Sequence, residues 1–100
     1  MNSIKYRISQ KAIEDLEDIW LYAHIKWSRE QADRYYNLLI GEIEYLSENF
    51  MLGKTVELPR KNYRVTQVKS HLIFYRKGEN DIVEIVRILH QRMNVKTRLK

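Results

Sequence analysis

The sequence contains no cysteine, so neither a disulfide nor a thiolate metal site is available to this chain. Its three histidines, His24, His71 and His90, stand far apart and show no metal-ligand spacing. No run approaches the roughly 20 apolar residues that a membrane span requires, and the N-terminus lacks the apolar core of a signal peptide. We therefore expect a soluble cytoplasmic protein that uses no metal or other cofactor.

Proline and glycine are also scarce, with one and three residues, and no linker, internal repeat or low-complexity tract divides the chain. One hundred residues are enough to bury a hydrophobic core without disulfides. We therefore expect one domain that covers residues 1–100.

Charge is unevenly distributed between the two halves of the chain. Residues 1–50 carry six Lys or Arg against nine Asp or Glu, whereas residues 51–100 carry twelve against four. The formal charges are therefore −3 and +8. Such an asymmetry indicates an acidic partner surface or a nucleic acid on the C-terminal half, or else a solvated basic face.

The first half is patterned as one strand and two helices. Ser3 to Ile8 alternates apolar and polar or basic residues, which predicts a short strand with one wet face. Ser9 can cap a helix whose apolar residues recur at helical spacing from Gln10 to about Lys26. Ser28 begins a capping box, and a second helix runs to about Phe50. Because the break between the helices is short, they should form an antiparallel hairpin with both apolar stripes facing a sheet.

The second half is patterned as three antiparallel strands. Pro59 marks an irregular connection, because proline fixes its own φ and donates no hydrogen bond. Strands are predicted over Tyr63–Val68, His71–Arg76 and Ile82–Leu89. Lys69 and Ser70 form a tight turn, and Gly78 lies in the second turn. The last strand is almost continuously apolar, which favours a central position, and residues 91–100 form a basic tail that docks as a short strand or helix at one edge.

The order strand, helix, helix, strand, strand, strand (β-α-α-β-β-β) indicates an α+β fold, with two helices layered on one antiparallel sheet. The first strand must join at an edge or beside the last strand. Arg87 lies inside the apolar last strand, where a charge is costly unless it is paired or used. Either a carboxylate of the first helix, such as Glu14 or Asp18, pairs with Arg87, or Arg87 contacts a partner.

Several segments together resemble the ParE toxins of bacterial toxin–antitoxin modules, which belong to the wider RelE/ParE superfamily. These segments are AIEDLEDIWLY in the first helix, QADRYY in the second, YRV and KSHLIFYR in the middle strands, and IVRILHQRM at the end. The resemblance runs from Tyr6 to Leu99 and so covers nearly the whole chain. One departure is Asn94, where an aspartate is expected after the Arg-Met pair.

The resemblance implies a helix hairpin packed on a twisted antiparallel sheet. It also implies a ParD-like antitoxin that wraps and neutralises the toxin, and DNA gyrase, through its A subunit, as the poisoned target. Such a toxin binds proteins and needs no catalytic residue. The RelE branch instead cuts messenger RNA on the ribosome, which requires a proton acceptor, a proton donor and positive charge at the phosphate. For that alternative the chain offers His90, Arg87, Arg64 and Tyr75. A relative that binds an antitoxin but is not toxic is a third alternative.

For a toxin that acts by binding, we expect partners to contact the basic half and the first helix. The expected contact residues are Arg64, Lys69, His71, Arg76, Arg87, His90, Arg92, Trp20 and Trp27. The antitoxin should lie over the sheet side and the groove of the helix hairpin, with the +8 half supplying association rate and salt sensitivity. A structural role stays open for most of these residues. We expect no sequence-specific nucleic-acid binding, because both helices are acidic on their exposed sides.

Overall fold

A computed structural model of the chain describes residues 5–56 and 62–99, so Ser3 and Pro59 of the predictions above lie outside the described residues. The helices are α1 Gln10–Lys26, α2 Arg29–Glu48 and the short α3 Val95–Arg98. The strands are β1 Tyr6–Ile8, β2 Lys54–Val56, β3 Tyr63–Val68, β4 His71–Lys77 and β5 Val83–His90. Two 3₁₀ turns, Phe50–Leu52 and Glu79–Asp81, connect them. None of the helices in these two ranges is long and apolar enough to cross a membrane.

The helix hairpin forms where the capping signals predicted it. The Ser9 hydroxyl accepts a hydrogen bond from the Ala12 N–H at 3.0 Å, and the Ser28 hydroxyl accepts one from the Gln31 N–H at 3.1 Å. Each bond satisfies one of the N–H groups that have no partner inside the first turn of a helix. The two helices are separated by only two residues, which confirms the predicted antiparallel hairpin.

The five strands form one sheet in the order β1-β5-β4-β3-β2. Strands β3, β4 and β5 form the predicted antiparallel meander. Strand β1 occupies both positions left open by the sequence, since it is an edge strand and also the neighbour of the last strand. The α+β class with a helical hairpin on a sheet is thereby confirmed.

The sheet differs from the prediction in one strand and one pairing. Strand β2 was not predicted, and β1 pairs with β5 in parallel rather than antiparallel. The two differences have one cause, because each successive element reverses the direction of the chain. Inserting β2 between α2 and β3 adds one reversal, and the last strand then runs in the same direction as the first.

The sheet has apolar side chains on both faces because side chains alternate along a strand. On one face, Ile73, Tyr75 and Ile85 pack beneath α1 and α2 in the main core. On the opposite face, Phe74 and Leu89 form a smaller cluster with other apolar residues of the sheet and tail. We call these the helix face and the tail face of the sheet.

The basic tail docks as a short helix, as one of the predicted alternatives has it, but it packs on the tail face rather than at an edge. Leu99 is 3% exposed and packs with Tyr63, Phe74 and Leu89. Asn94 is the N-cap of α3, and its Oδ1 accepts a hydrogen bond from the Thr97 N–H at 3.3 Å. Asparagine and aspartate cap helices about equally well, so the departure at Asn94 keeps this local function.

Candidate functional site

Arg87 forms a paired charge between β5 and α1. Its Nε and Nη2 atoms donate to Oδ2 and Oδ1 of Asp15 at 2.8 and 2.9 Å, and the two side chains are only 14% and 12% exposed. A carboxylate of the first helix was predicted, but Glu14 and Asp18 were the wrong residues. Both lie on the exposed side of α1, whereas Asp15 lies at the margin of the buried stripe, next to Leu16.

The same pair joins three elements. Asp15 Oδ2 also accepts a hydrogen bond from the Ile88 N–H at 2.9 Å, and Arg87 Nη1 donates to the Arg98 carbonyl oxygen at 2.9 Å. Hydrogen bonding to Asp15 raises the pKa of Arg87 above its ordinary value, so the guanidinium stays charged. Arg87 therefore holds α1, β5 and the end of α3 together, and most of its donors are occupied inside the chain.

Tyr75 is enclosed by the segment of backbone that follows α2. Its side chain is fully buried, and its hydroxyl donates to the Phe50 carbonyl oxygen and accepts from the Gly53 N–H, both at 2.8 Å. Burial raises the pKa of Tyr75 above that of an ordinary tyrosine. Arg64 lies beside it on β3, and its Nη1 donates to the Gly53 carbonyl oxygen at 2.5 Å. The Tyr75 hydroxyl is therefore enclosed by backbone groups and is not exposed at the surface.

The two histidines of the hairpin face each other at its other end. His71 pairs with His90 across β4 and β5, with ring centres 5.3 Å apart. The Tyr35 hydroxyl lies 2.7 Å from His71 Nδ1, and His90 Nδ1 accepts from the Arg92 N–H at 3.1 Å. Burial, together with the neighbouring His90, lowers the pKa of His71 to about 4. His71 is therefore a neutral imidazole at pH 7.

The four residues named for RNA cleavage do not converge on one point. Arg64 lies opposite Tyr75, whereas His90 lies opposite His71, four residues further along β4. At roughly 3.3 Å per residue, this places the two pairs about 13 Å apart along the strand. Arg87 is directed to Asp15. These four side chains therefore do not form one site that combines the acid, base and cation used in RNA cleavage.

The predicted partner contacts divide into exposed and internally bonded side chains. Lys69 in the β3–β4 turn, Arg92 after β5 and Trp27 at the end of α1 are exposed. Trp20 instead donates from Nε1 to Asp33 Oδ1 at 2.8 Å and links the two helices. Arg76 forms an ion pair with Glu84 at 2.7 Å and lies over the Tyr63 ring. The predicted set therefore mixes available contacts with structural ones.

Sequence reasoning named only Trp27 of an exposed apolar cluster at the end of α1. Ile25 is 75% exposed and Trp27 62%, with Leu21 and Tyr22 beside them on the same helical turns. Lys26 Nζ lies 5.4 and 5.7 Å from the Tyr22 and Trp27 ring centres. The sequence did contain a signal for the other members of this cluster. Leu21 and Ile25 continue the outer, acidic side of α1 and not its buried stripe, so their exposure could have been expected. Such a cluster is typical of a protein-binding surface.

Comparisons with known proteins identify the family that this chain resembles. Residues 6–95 match a family model described as the ParE toxin of the type II toxin–antitoxin system, parDE. Toxin ParE1 of Caulobacter vibrioides is 43% identical over 94 residues, which cover 94% of this chain and 96% of that protein. Toxin ParE1 of Mycobacterium tuberculosis is 34% identical over 97 residues, which cover 97% and 99%.

A solved structure has a similar fold. A chain from the chromosomal ParDE TA system of P. aeruginosa superposes with a TM-score of 0.72 at 19% identity, and the match covers 88% of this chain and 98% of that chain. The family resemblance seen in the five sequence segments is confirmed by the family model and the ParE1 relatives.

Proposed function

Because this chain belongs to the ParE toxin family of type II toxin–antitoxin systems, we propose that it acts by binding proteins and not by catalysis. In this proposal its target is DNA gyrase, contacted through the A subunit, and a ParD-like antitoxin neutralises it. It acts in the cytoplasm, where gyrase works on DNA, and requires no cofactor.

The observation that carries this proposal is the internal bonding of the groups that could do chemistry. Tyr75 is enclosed, and Arg87 is paired with Asp15. Catalysis would need such groups to be turned toward a reacting atom. The side chains that are exposed, such as Ile25, Trp27 and Arg92, are suited to contact with another macromolecule.

We propose that the antitoxin lies over the sheet side and the groove of the helix hairpin. The tail face has half-buried apolar residues, among them Val65 and Leu72, that α3 does not bury completely. Exposed cations near the chain reversals, Lys69 and Arg92, would attract an acidic segment to this side. The edge strands β1 and β2 are only three residues long and offer backbone groups to an extended peptide.

The salt dependence of binding tests this electrostatic part. We expect the affinity of the purified chain for its module's antitoxin to fall, mainly through the association rate, between 50 and 500 mM NaCl (~14 to ~4 Å Debye length). Surface plasmon resonance measures both rates. An affinity that barely changes over this range would exclude a role for the +8 half.

A gyrase assay tests the target. The chain incubated with gyrase, ATP and a relaxed plasmid should block supercoiling and leave cleaved DNA after detergent and protease treatment, and added antitoxin should prevent both effects. In cells, expression of the chain alone should induce the SOS response while messages stay intact. Failure of both assays with a folded chain would leave the non-toxic relative as the explanation.

A ribosome-dependent ribonuclease is the second candidate function. One observation favours it: Tyr35, His71 and His90 bring a hydroxyl and two imidazoles together at one end of the β4–β5 hairpin. Primer extension on messages from translating cells would detect cleavage. Cleavage that is lost in both His71→Ala and His90→Ala would replace the gyrase proposal.

A further inference from the structure

A corner of the helix face combines exposed apolar side chains with two cations. It consists of the 3₁₀ turn Phe50–Leu52 after α2, together with Arg64 of β3 and Lys77 of β4, and we call it the Phe50 corner. Met51 and Leu52 are 72% and 52% exposed. The Arg64 guanidinium carbon and Lys77 Nζ lie 5.4 and 4.5 Å from the centre of the Phe50 ring.

The two cations of this corner have no carboxylate within 4.0 Å among residues 5–56 and 62–99. Arg76 and Arg87, on the hairpin of β4 and β5, each have one. A cation over an aromatic ring is attracted by the electron-rich face of the ring, but the ring does not neutralise its charge. Two like charges at one ring therefore leave a positive potential beside Met51.

Arg64 is held in position before any partner arrives. Its Nη1 donates to the carbonyl oxygens of Gly53 and Met51, at 2.5 and 3.4 Å, and its Nη2 lies 3.2 Å from the Met51 sulfur. A cation that is fixed in this way loses little conformational entropy when it binds an anion. The same contacts hold the Met51 backbone beside the charge, so apolar and cationic groups are presented together.

We propose that the Phe50 corner is a docking site for an acidic, amphipathic segment of the antitoxin. A bulky apolar side chain of that segment would cover Met51 and Leu52, and its carboxylates would lie against Arg64 and Lys77. Charge complementarity selects an acidic partner. The exposed thioether and isobutyl groups favour a protein over a nucleic acid, since phosphate contacts gain nothing from apolar side chains. This inference rests on the proposed neutralisation by an antitoxin.

Charge reversal at Lys77 tests the inference against a matched control. The purified chain and the antitoxin of the same module are compared by surface plasmon resonance in three forms: wild type, Lys77→Glu and Lys11→Glu. Both lysines are exposed, and both substitutions change the net charge by the same amount, but Lys11 lies on α1. We expect Lys77→Glu to raise the dissociation constant at least tenfold and Lys11→Glu to raise it less than twofold. Met51→Ser should raise it at least threefold, and circular dichroism confirms that each variant is folded.

The possible outcomes separate this inference from the proposed function. Equal losses of affinity in the two lysine variants, or wild-type affinity in Lys77→Glu, would show that the antitoxin does not dock at the Phe50 corner. Neutralisation by the antitoxin would still stand. A wild-type chain that does not bind the antitoxin at all would overturn both. If Lys77→Glu weakened binding to a 20-base-pair DNA duplex and not to the antitoxin, the corner would be a nucleic-acid contact and the inference would be wrong.

Discussion

Replacing Asp15 by alanine removes the acceptor of three hydrogen bonds at once. Two of them come from the Arg87 guanidinium and one from the Ile88 N–H. The guanidinium would keep only its bond to the carbonyl oxygen of Arg98. A charge that is mostly buried would then have no counter-ion.

The structure sets the size of this effect. Breaking a buried ion pair by removing one partner costs about 3–5 kcal/mol, because the remaining charge is uncompensated. The Asp15 and Arg87 side chains are 12% and 14% exposed, so water can replace little of the lost interaction. We therefore expect the free energy of unfolding to fall by about 4 kcal/mol, a large part of the ~5–15 kcal/mol that stabilises an ordinary domain.

Urea unfolding followed by far-UV circular dichroism measures this loss. Glu14→Ala is the matched control, since it removes the neighbouring carboxylate from the exposed side of α1 and should leave the midpoint nearly unchanged. Adding Arg87→Met to Asp15→Ala removes the unpaired cation and should restore part of the stability, giving a coupling energy of about 2 kcal/mol. Equal midpoints for Asp15→Ala and Glu14→Ala, or a coupling energy near zero, would refute the reasoning.

The remaining predictions concern two glycines, one histidine and the tail. Gly53→Ala should lower the midpoint of urea unfolding, because an added Cβ would lie 2.7 Å from a β3 carbonyl oxygen. Gly41→Ala, with nothing within 4 Å of its Cβ, should instead raise the free energy of unfolding by about 0.5–1 kcal/mol, and a shift of the same sign in both variants would contradict this contrast. The pKa of His71 is lowered to about 4 in the folded chain. As the pH falls, His71 therefore gains a proton near pH 6.5 in the unfolded chain but stays neutral in the folded chain until about pH 4. Stability should therefore fall as the pH drops from about 6.5 to 4, and urea midpoints should show a smaller fall in His71→Gln; equal falls would exclude this origin. Leu99→Ala should release α3 and speed tryptic cleavage of the basic C-terminal turn, and an unchanged rate would show that the tail is held by other contacts.

Local signals in the sequence were sufficient for the elements that they specify directly. Ser9 and Ser28 cap the two helices as predicted, because a serine hydroxyl directly before a helical pattern can accept a hydrogen bond from a free N–H group of the first turn. The three-strand meander followed from alternation and from the turns. Strand β2 was not predictable in this way, since three residues, Lys54–Val56, are too few to establish a period. Because β2 could not be predicted, the parallel pairing of β1 with β5, which depends on it, could not be predicted either.

The need for a counter-ion at Arg87 was also predictable, because a charge in an apolar strand must be compensated. Which carboxylate serves as the counter-ion depended on tertiary structure. Strand β1 pairs only as far as Ile85, and beyond that point α1 crosses the edge of β5. There the Ser9 hydroxyl donates to the Val86 carbonyl oxygen and Asp15 accepts from the Ile88 N–H. Asp15 is selected by this unpaired backbone edge, and no spacing in the sequence records at which residue of β5 the pairing with β1 stops.

The division between internally bonded and exposed side chains favours a toxin that works by contact. An enzyme must place its acid and base within hydrogen-bond reach of the reacting atoms, and such an arrangement often costs stability. Here Tyr75 and Arg87 contribute to stability through the hydrogen bonds that close them off. The exposed groups Trp27, Met51 and Lys77 instead lie on the surface, at the end of α1, in the turn after α2 and at the end of β4. If the chain acts by contact, substitutions at these exposed positions should change its affinities while leaving its stability intact, whereas substitutions at Tyr75 or Arg87 should do the reverse.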